Sequence, residues 1–197
     1  YVGAQLLKSF PEIESVCGVS NMELLVKKAD ERLRAQTITA DSTFFTFFGY
    51  PLKEGDAKRC LETKDAAVVS ERFAMRLFGE TDVVGRMITY NDSLKLRVTA
   101  VMEDLKGRIF DNPDLVVNYE LQRYGNYANT DEAFLKNCVN MSGCSVFLKM
   151  HDGKSFVGRE KELLDCYESF WKYFAEQKPD EELYVEPYTM KYKDVFF

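Results

Sequence analysis

The sequence predicts an α+β protein that is built from strand–helix–strand units. Three patterns favour this class. Apolar and polar side chains alternate over residues 94–100, which is the two-residue period of a half-buried strand. Apolar side chains fall at helical spacing over residues 70–78, between a serine and a glycine. An amphipathic pattern over residues 155–177 predicts a second, longer helix.

The composition is that of an ordinary globular protein. The chain has 197 residues, 46% of them hydrophobic, which suffices for one sizeable core or two small lobes. Its formal net charge of −6 argues against nucleic acid as a partner, because affinity for phosphates depends on Lys and Arg. The lysines and arginines over residues 27–34 fit a charged hairpin edge. No apolar run approaches the ~18 residues of a membrane span, and no signal peptide is visible.

The first 40 residues predict a helix followed by a β-hairpin. Residues 4–10 have helical spacing, and Pro11 ends that helix. Residues 16–26 predict a strand, residues 27–31 a charged turn, and residues 33–40 the second strand. An aromatic cluster of Phe44, Phe45, Phe47 and Phe48 follows before Gly49. Four rings so close in sequence cannot share one helix face, so we expect some of them to pack into a neighbouring layer or a partner.

A capped helix follows at the centre of the chain. Residues 66–69 form an apolar strand that leads into Ser70, a good N-cap, and Glu71 suits the positive end of the helix dipole. Gly79 stands where a left-handed C-cap is expected. We therefore predict a helix over residues 70–78. Its core stripe consists of Phe73, Ala74, Leu77 and Phe78.

The remaining elements are predicted with uneven detail. Residues 82–85 indicate a turn, 86–90 a strand and 91–93 a second turn before the strand at 94–100. Residues 115–124 fit a strand or a short helix, and residues 131–136 a short helix that Thr130 caps. Residues 144–150 predict a strand, and the helix over 155–177 ends before Pro179. Residues 183–187 are strand or extended chain.

The five cysteines are Cys17, Cys60, Cys138, Cys144 and Cys166. None of them forms a C-x-x-C pair, so zinc ribbons and thioredoxin-like motifs are not supported. Cys138 and Cys144 flank a short segment, and a disulfide between them is one alternative. Five buried thiols are the other, and the odd count favours at least one free cysteine.

The sequence predicts no catalytic, metal or cofactor site. The single histidine, His151, stands beside a turn and is interpreted as a solvated turn residue. The chain has no H-E-x-x-H, G-x-S-x-G or G-x-x-x-x-G-K motif. An enzyme stays open as an alternative, because carboxylates from distant segments can meet in the fold.

The order of these motifs resembles the periplasmic core domain of MacB-type, FtsX-like ABC transporter permeases. That family shows a D-x-x-F-F-x-x-F segment and then a Gly-Asp loop, which correspond here to Asp41, Phe44, Phe45, Phe48, Gly55 and Asp56. An apolar strand, a capped helix ending in L-F-G and a glycine turn follow in the family. Their counterparts here are Ser70, Ala74, Leu77, Phe78, Gly79 and Gly85. Two positions depart from the pattern, since Val83 replaces a frequent proline and Ala100 a glycine.

The resemblance implies a two-lobed extracytoplasmic domain. Residues 1–40 and 139–197 would form a membrane-proximal, porter-like lobe, and residues 41–138 an inserted distal lobe. The domain would lie on the periplasmic side of the bacterial inner membrane, excised from a membrane protein with one transmembrane helix on each side. Both chain ends would then leave the same lobe, and the helix over residues 70–78 would belong to the other one.

The resemblance also implies a non-catalytic function without a cofactor. The domain would relay ATP-driven motion in export or efflux. Its partners would be a cytoplasmic ABC ATPase reached through the flanking helices, a second permease copy, and a periplasmic adaptor or substrate. One alternative is a sensor that binds antimicrobial peptides and signals to a histidine kinase, with a pocket lined by the Phe44–Phe48 cluster. The other is an extracytoplasmic enzyme with converging polar groups.

Overall fold

The computed structural model describes residues 2–90, 94–104, 110, 112–121 and 144–166, together with residues 168, 172, 175, 176, 189 and 191. Within these residues the helices are α1 (Val2–Ser9), α2 (Phe44–Phe48), α3 (Glu71–Phe78) and α4 (Glu160–Cys166). The strands are β1 (Ile13–Lys28), β2 (Glu31–Ala40), β3 (Leu52–Glu54), β4 (Ala66–Ser70), β5 (Met87–Tyr90), β6 (Leu94–Met102), β7 (Leu115–Asn118) and β8 (Cys144–Met150). The combination of a mixed sheet with helices confirms the α+β class.

The chain divides into two compact units. The terminal unit consists of Tyr1–Val16 and Leu148–Phe197, and the central unit consists of Cys17–Phe147. The predicted lobes have their boundaries after residue 40 and before residue 139, whereas the two units have theirs after Val16 and before Leu148. Residues 17–40, which the prediction places with the chain ends, therefore belong to the central unit. The reason is that β2 pairs with β7, so the hairpin joins the sheet of the central unit. The porter-like and inserted roles of the lobes stay predictions.

The strands of the central unit form one mixed sheet. Hydrogen bonding runs in the order β2–β7–β4–β6–β5–β1, and β1 pairs back with β2. The β2–β7 and β4–β6 pairs are parallel, while β1–β2, β4–β7 and β5–β6 are antiparallel. The series of hydrogen-bonded strands therefore begins and ends at β2.

Two hydrophobic cores lie on the two sides of β4, β6 and β7. Along β4, Ala67 and Val69 belong to the first core, and Ala66 and Val68 belong to the second. A strand that is buried on both faces requires a continuous apolar run, which is what residues 66–69 supply. The first core includes the buried side of α3, and the second includes the aromatic rings of α2.

The predicted central helix is confirmed as α3. The Ser70 Oγ accepts a hydrogen bond from Phe73 N at 3.1 Å, and Gly79 has a φ of +81°. Phe73, Ala74 and Leu77 are buried. Phe78, the fourth residue of the predicted stripe, is partly buried and packs against the first core.

Two other boundaries differ from the prediction. The predicted charged turn over residues 27–31 is mostly strand, because pairing of β1 with β2 continues to Lys28↔Glu31. The last helix begins at Glu160 rather than residue 155. Gly158 has a φ of +85°, a left-handed conformation that cannot be part of a right-handed helix.

The sequence left residues 115–124 open between a strand and a short helix, and the structure decides part of this segment. Residues 115–118 form the strand β7. The predicted helix over residues 131–136 and the extended segment at 183–187 lie outside the described residues, as does the end of the last helix.

Side chains from both ends of the chain hold the terminal unit together. The rings of Phe10 and Phe156 meet edge to face with centroids 4.7 Å apart. The Arg159 guanidinium pairs with Glu12 and Glu162 and lies 4.7 Å from the centroid of the Phe156 ring. The His151 N–H donates to the Glu12 carbonyl at 3.0 Å.

Candidate functional site

The first motif residue, Asp41, joins β1 to the start of α2. Its Oδ2 accepts a hydrogen bond from Gly18 N at 2.7 Å, and its own N–H donates to the Gly18 carbonyl at 3.1 Å. The Asp41 carbonyl accepts from Phe44 N at 3.0 Å. This carboxylate therefore connects two backbone segments that are 23 residues apart in sequence.

The aromatic motif residues fill the second core. Phe44 and Phe45 are fully buried and meet edge to face at 5.2 Å between centroids. Phe48 is partly buried and contacts the rings of Phe110 at 5.4 Å and Phe147 at 5.1 Å. Some rings were expected to enter a neighbouring layer, and Phe44 and Phe45 do so. These contacts are those of a packed core.

The Gly-Asp motif forms a close approach and a turn. A Cβ on Gly55 would lie 2.5 Å from the Ala100 Cβ, and its φ is +107°. Both facts require glycine at this position. Asp56 begins the next turn, because its Oδ1 accepts from Lys58 N at 2.9 Å and its carbonyl accepts from Cys60 N at 2.8 Å.

The glycine turn after α3 is tied to β6. The Gly85 N–H donates to the Val98 carbonyl at 2.7 Å, and the Val98 N–H donates to the Arg86 carbonyl at 2.8 Å. Val83, which stands where the family often has proline, is fully buried in the first core. This substitution keeps an apolar side chain in the turn.

Asp114 is a central residue that the sequence did not indicate. Its buried carboxylate accepts from Arg72 Nη2 at 3.0 Å through Oδ1 and from Gln36 N at 3.1 Å through Oδ2. Arg76 Nη1 lies 3.6 Å from the same Oδ1. The backbone of Asp114 also bonds to Gln36 and Ser70. No local pattern shows that residues 36, 72 and 114 meet, so this site could be found only in the fold.

Several titratable groups have a shifted pKa because of burial or of a hydrogen bond within the fold. Burial raises the pKa of the Cys60 thiol to about 11. The hydrogen bond from Arg159 lowers the pKa of Glu12 and of Glu162. Cys17, Cys60 and Cys166 are not in disulfide bonds, and the alternative disulfide between Cys138 and Cys144 falls outside the described side chains. His151 is exposed, as expected of a turn residue.

The described residues show no grouping of three or more His, Cys, Asp or Glu side chains that could hold a metal ion. Among the helices in this part of the chain, none has the length and apolar character needed to cross a bilayer. Among the motif residues, Phe44, Phe45, Ala74 and Leu77 are buried in the two cores of the central sheet, whereas the glycine turns and Asp56 are exposed. Their arrangement is suited to holding strands and turns in a fixed geometry.

Comparison with solved structures shows the same fold in three domains of other proteins. The domain of a putative permease from Porphyromonas gingivalis superimposes with a TM-score of 0.63 at 16% identity, over 86% of this chain and 69% of that one. The periplasmic region of MacB from Actinobacillus actinomycetemcomitans superimposes with a TM-score of 0.59 at 15% identity, over 92% of this chain and 83% of that one. The extracellular domain of the noncanonic ABC-type transporter YknZ from Gram-positive bacteria superimposes with a TM-score of 0.57 at 14% identity, over 85% of this chain and 82% of that one.

Sequence comparison agrees with the structural one. None of the curated proteins matches the sequence. The family profile described as the MacB-like periplasmic core domain matches residues 2–156, which covers most of the chain and confirms the resemblance seen in the motifs. This chain therefore belongs to the MacB-like periplasmic core domains of ABC transporter permeases.

Proposed function

We propose that this domain relays ATP-driven motion of an ABC transporter to substrates or partner proteins outside the cytoplasmic membrane. The work would be export or efflux, and the domain itself would hydrolyse nothing. Its partners would be a cytoplasmic ATPase, a second permease copy, and a periplasmic adaptor or substrate. In this proposal, membrane helices flank the domain and deliver the motion.

The observation that supports the proposal is the course of the chain through the two units. The segments Tyr1–Val16 and Leu148–Phe197 belong to one compact unit, and Cys17–Phe147 forms the other. The chain therefore passes between the units twice, at residues 16–17 and 147–148. Displacement of the terminal unit by flanking helices would reach the central unit through these two covalent passages.

The packing of the central unit suits a relay. Its strands share two cores, and Asp41 and Asp114 link segments that are far apart in sequence. Close-packed interiors transmit displacement instead of absorbing it. A sensor would instead need an open apolar pocket, whereas Phe44 and Phe45 are fully buried against other rings.

Hydrogen exchange on the intact permease–ATPase complex tests this proposal. The complex is placed in lipid nanodiscs, and exchange is measured without nucleotide and with vanadate-trapped nucleotide. We expect protection to change between the two states in peptides that cover residues 12–20 and 144–152. The isolated domain, incubated with ATP, should show no change and serves as the control.

The outcome also separates the relay from the sensor. Unchanged exchange throughout the domain after vanadate trapping would contradict the relay. A sensor predicts protection that follows an added antimicrobial peptide and is independent of nucleotide. Hydrolysis of ATP by the isolated domain would contradict the proposal that the domain itself hydrolyses nothing.

A further inference from the structure

Four neighbouring strands of the central unit share one outer face. β1 pairs with β2 along the hairpin and with β5 at Val26↔Tyr90, and β5 pairs with β6 over its whole length. Directly paired residues lie on the same side of a sheet, and successive residues alternate between sides. The inner side is the first core, where Val26, Tyr90 and Leu96 are buried. The alternate residues therefore lie on the outer side.

We call this outer side the basic face. Its residues are Glu23, Leu25, Lys27, Arg32, Arg34, Gln36, Met87, Thr89, Lys95 and Arg97. All of these except the half-buried Thr89 are exposed. The face carries five cations and, among its described residues, one carboxylate. The whole chain has 26 Lys and Arg against 32 Asp and Glu, so cations are concentrated here.

Protection of sheet edges does not explain this charge. Cations on edge strands prevent unwanted pairing, which was our expectation for the hairpin. However, β1 lies between β2 and β5, and β6 lies between β4 and β5, so neither is an edge strand. Lys27 and Arg32 are also directly opposite each other, and like charges in that position destabilise a sheet. The fold alone does not require this arrangement.

Exposed apolar side chains lie among the cations. Leu25 is 38% exposed and is paired with Arg34, and Met87 is 43% exposed and is paired with Arg97. Exposed cations and exposed apolar side chains on one surface can both contribute to binding of an anionic membrane. The cations attract the headgroups, while the apolar side chains enter the interface.

We propose that the basic face binds the anionic phospholipid headgroups of a bilayer surface. This inference rests on the proposed function, because a permease domain has a bilayer beside it. An acidic protein segment is the competing partner. The lipid surface fits better, because the cations are spread over three strands of one sheet face, β1, β2 and β6, and the Arg34 guanidinium already pairs with Glu23 at 3.2 Å. A carboxylate peptide would favour a bidentate arginine pocket instead.

Vesicle sedimentation tests the proposal with the 197-residue chain. Vesicles of phosphatidylcholine and phosphatidylglycerol in a 3:1 ratio are compared with vesicles of phosphatidylcholine alone. We expect binding to the anionic vesicles and none to the neutral ones. Each cation near such a surface contributes about a fivefold gain in partitioning. Binding should therefore weaken when salt is raised from about 50 mM to about 300 mM, because the charges are then screened.

A charge-reversal variant and a matched control locate the binding surface. The variant carries Lys27→Glu, Arg32→Glu and Lys95→Glu, and the control carries Lys8→Glu, Lys58→Glu and Lys161→Glu, all at exposed positions. Both have the same net charge. We expect the first to lose partitioning by on the order of a hundredfold, and the control to retain binding within about tenfold of the unchanged chain. Circular dichroism checks folding, and Lys95→Glu alone, expected to lose at least fivefold, replaces the triple variant if that does not fold.

Three results would overturn the proposal. The first is equal loss in the two triple variants, and the second is equal binding to neutral and anionic vesicles. The third is binding to soluble poly-L-glutamate without binding to vesicles, which would indicate an acidic protein partner. The vesicle assay contains neither ATPase nor nucleotide. Its failure would therefore leave the hydrogen-exchange test of the relay unaffected.

Discussion

At the scale of single residues, Asp114 joins three parts of the central unit. Its side chain is 5% exposed and accepts hydrogen bonds from Arg72 and the backbone of Gln36. Both arginines that pair with it are about half exposed, so solvent screens part of the attraction. The arginine side chains can turn towards solvent and hydrogen-bond to water, whereas the partly buried backbone N–H of Gln36 is held in place by its strand.

We predict that Asp114→Ala lowers the free energy of unfolding by about 2–3 kcal/mol. The substitution removes the acceptor of a partly buried N–H and of a charged donor. Urea denaturation followed by circular dichroism measures the change. Asp152→Ala, at an exposed turn position, is the control and should change stability by less than about 0.5 kcal/mol. Equal stability of the two variants would contradict the role assigned to Asp114.

Cys60 gives a second prediction at this scale. Burial raises its thiol pKa to about 11, so at pH 8 only about one molecule in a thousand carries the reactive thiolate. We expect Cys60 of the folded chain to resist alkylation by iodoacetamide, while the partly exposed Cys166 reacts faster. Peptide-resolved mass spectrometry compares the two rates. Similar rates in the folded chain, or no acceleration of Cys60 in urea, would show the thiol to be accessible.

At the scale of elements, α3 is held by one deeply buried ring and two caps. Phe73 is fully buried in the first core, whereas Met75 on the opposite side is 51% exposed. We predict that Phe73→Ala costs about 3–5 kcal/mol in unfolding free energy, and that Phe78→Ala costs less because its ring is only partly buried. Met75→Ala is the control from the same helix. Chemical denaturation in which Met75→Ala costs as much as Phe73→Ala would be incompatible with this packing.

The contact between Gly55 and β6 permits a sharper test. We predict that Gly55→Ala destabilises the chain by about 2–4 kcal/mol, because the new Cβ meets Ala100 and the positive φ disfavours alanine. Adding Ala100→Gly removes the closest contact, at 2.5 Å, but leaves the Ala100 Cα and the Thr99 carbonyl at 3.0 Å.

Rescue by the second substitution should therefore be partial. Thermal or urea unfolding of the two single variants and the double variant gives the coupling free energy. Strictly additive effects would mean that the two positions do not touch. Full recovery would mean that the backbone conformation of Gly55 imposes no cost of its own.

At the scale of the whole molecule, acidic pH should weaken the terminal unit. Arg159 lowers the pKa of Glu12 and Glu162, and a hydrogen bond from Thr189 lowers that of Glu160, relative to the ordinary 4.5. A folded-state pKa below the unfolded one stabilises the fold above pH 4.5. That contribution is lost as the pH falls through the lowered values.

We accordingly expect the melting temperature to fall between pH 6 and pH 3. Arg159→Gln should make this fall shallower, because Glu12 and Glu162 then titrate near their ordinary pKa in both states. The exposed Lys161→Gln is the control with the same change of charge and should keep the original dependence. Melting curves with identical pH dependence for both variants would show that Arg159 does not set these pKa values.

The sequence by itself determined those features that depend on near neighbours. Ser70, Glu71 and Gly79 mark the ends of α3 because capping bonds form within one helical turn. The alternation over residues 94–100 marks β6 because strand periodicity is local. The ordered motifs from Asp41 to Gly85 were sufficient to identify the family, since they span several such local features.

Only the tertiary structure decided what depends on distant segments. The parallel pairing of β2 with β7, the placement of residues 17–40 in the central unit and the convergence of Arg72 and Asp114 join segments more than 30 residues apart. The partial burial of Phe78 and the continuation of β1 to Lys28 depend likewise on neighbouring strands. A local pattern records which face of an element is apolar but not which partner covers it. The cations of β1, β2 and β6 could therefore be recognised as one surface only in the folded sheet.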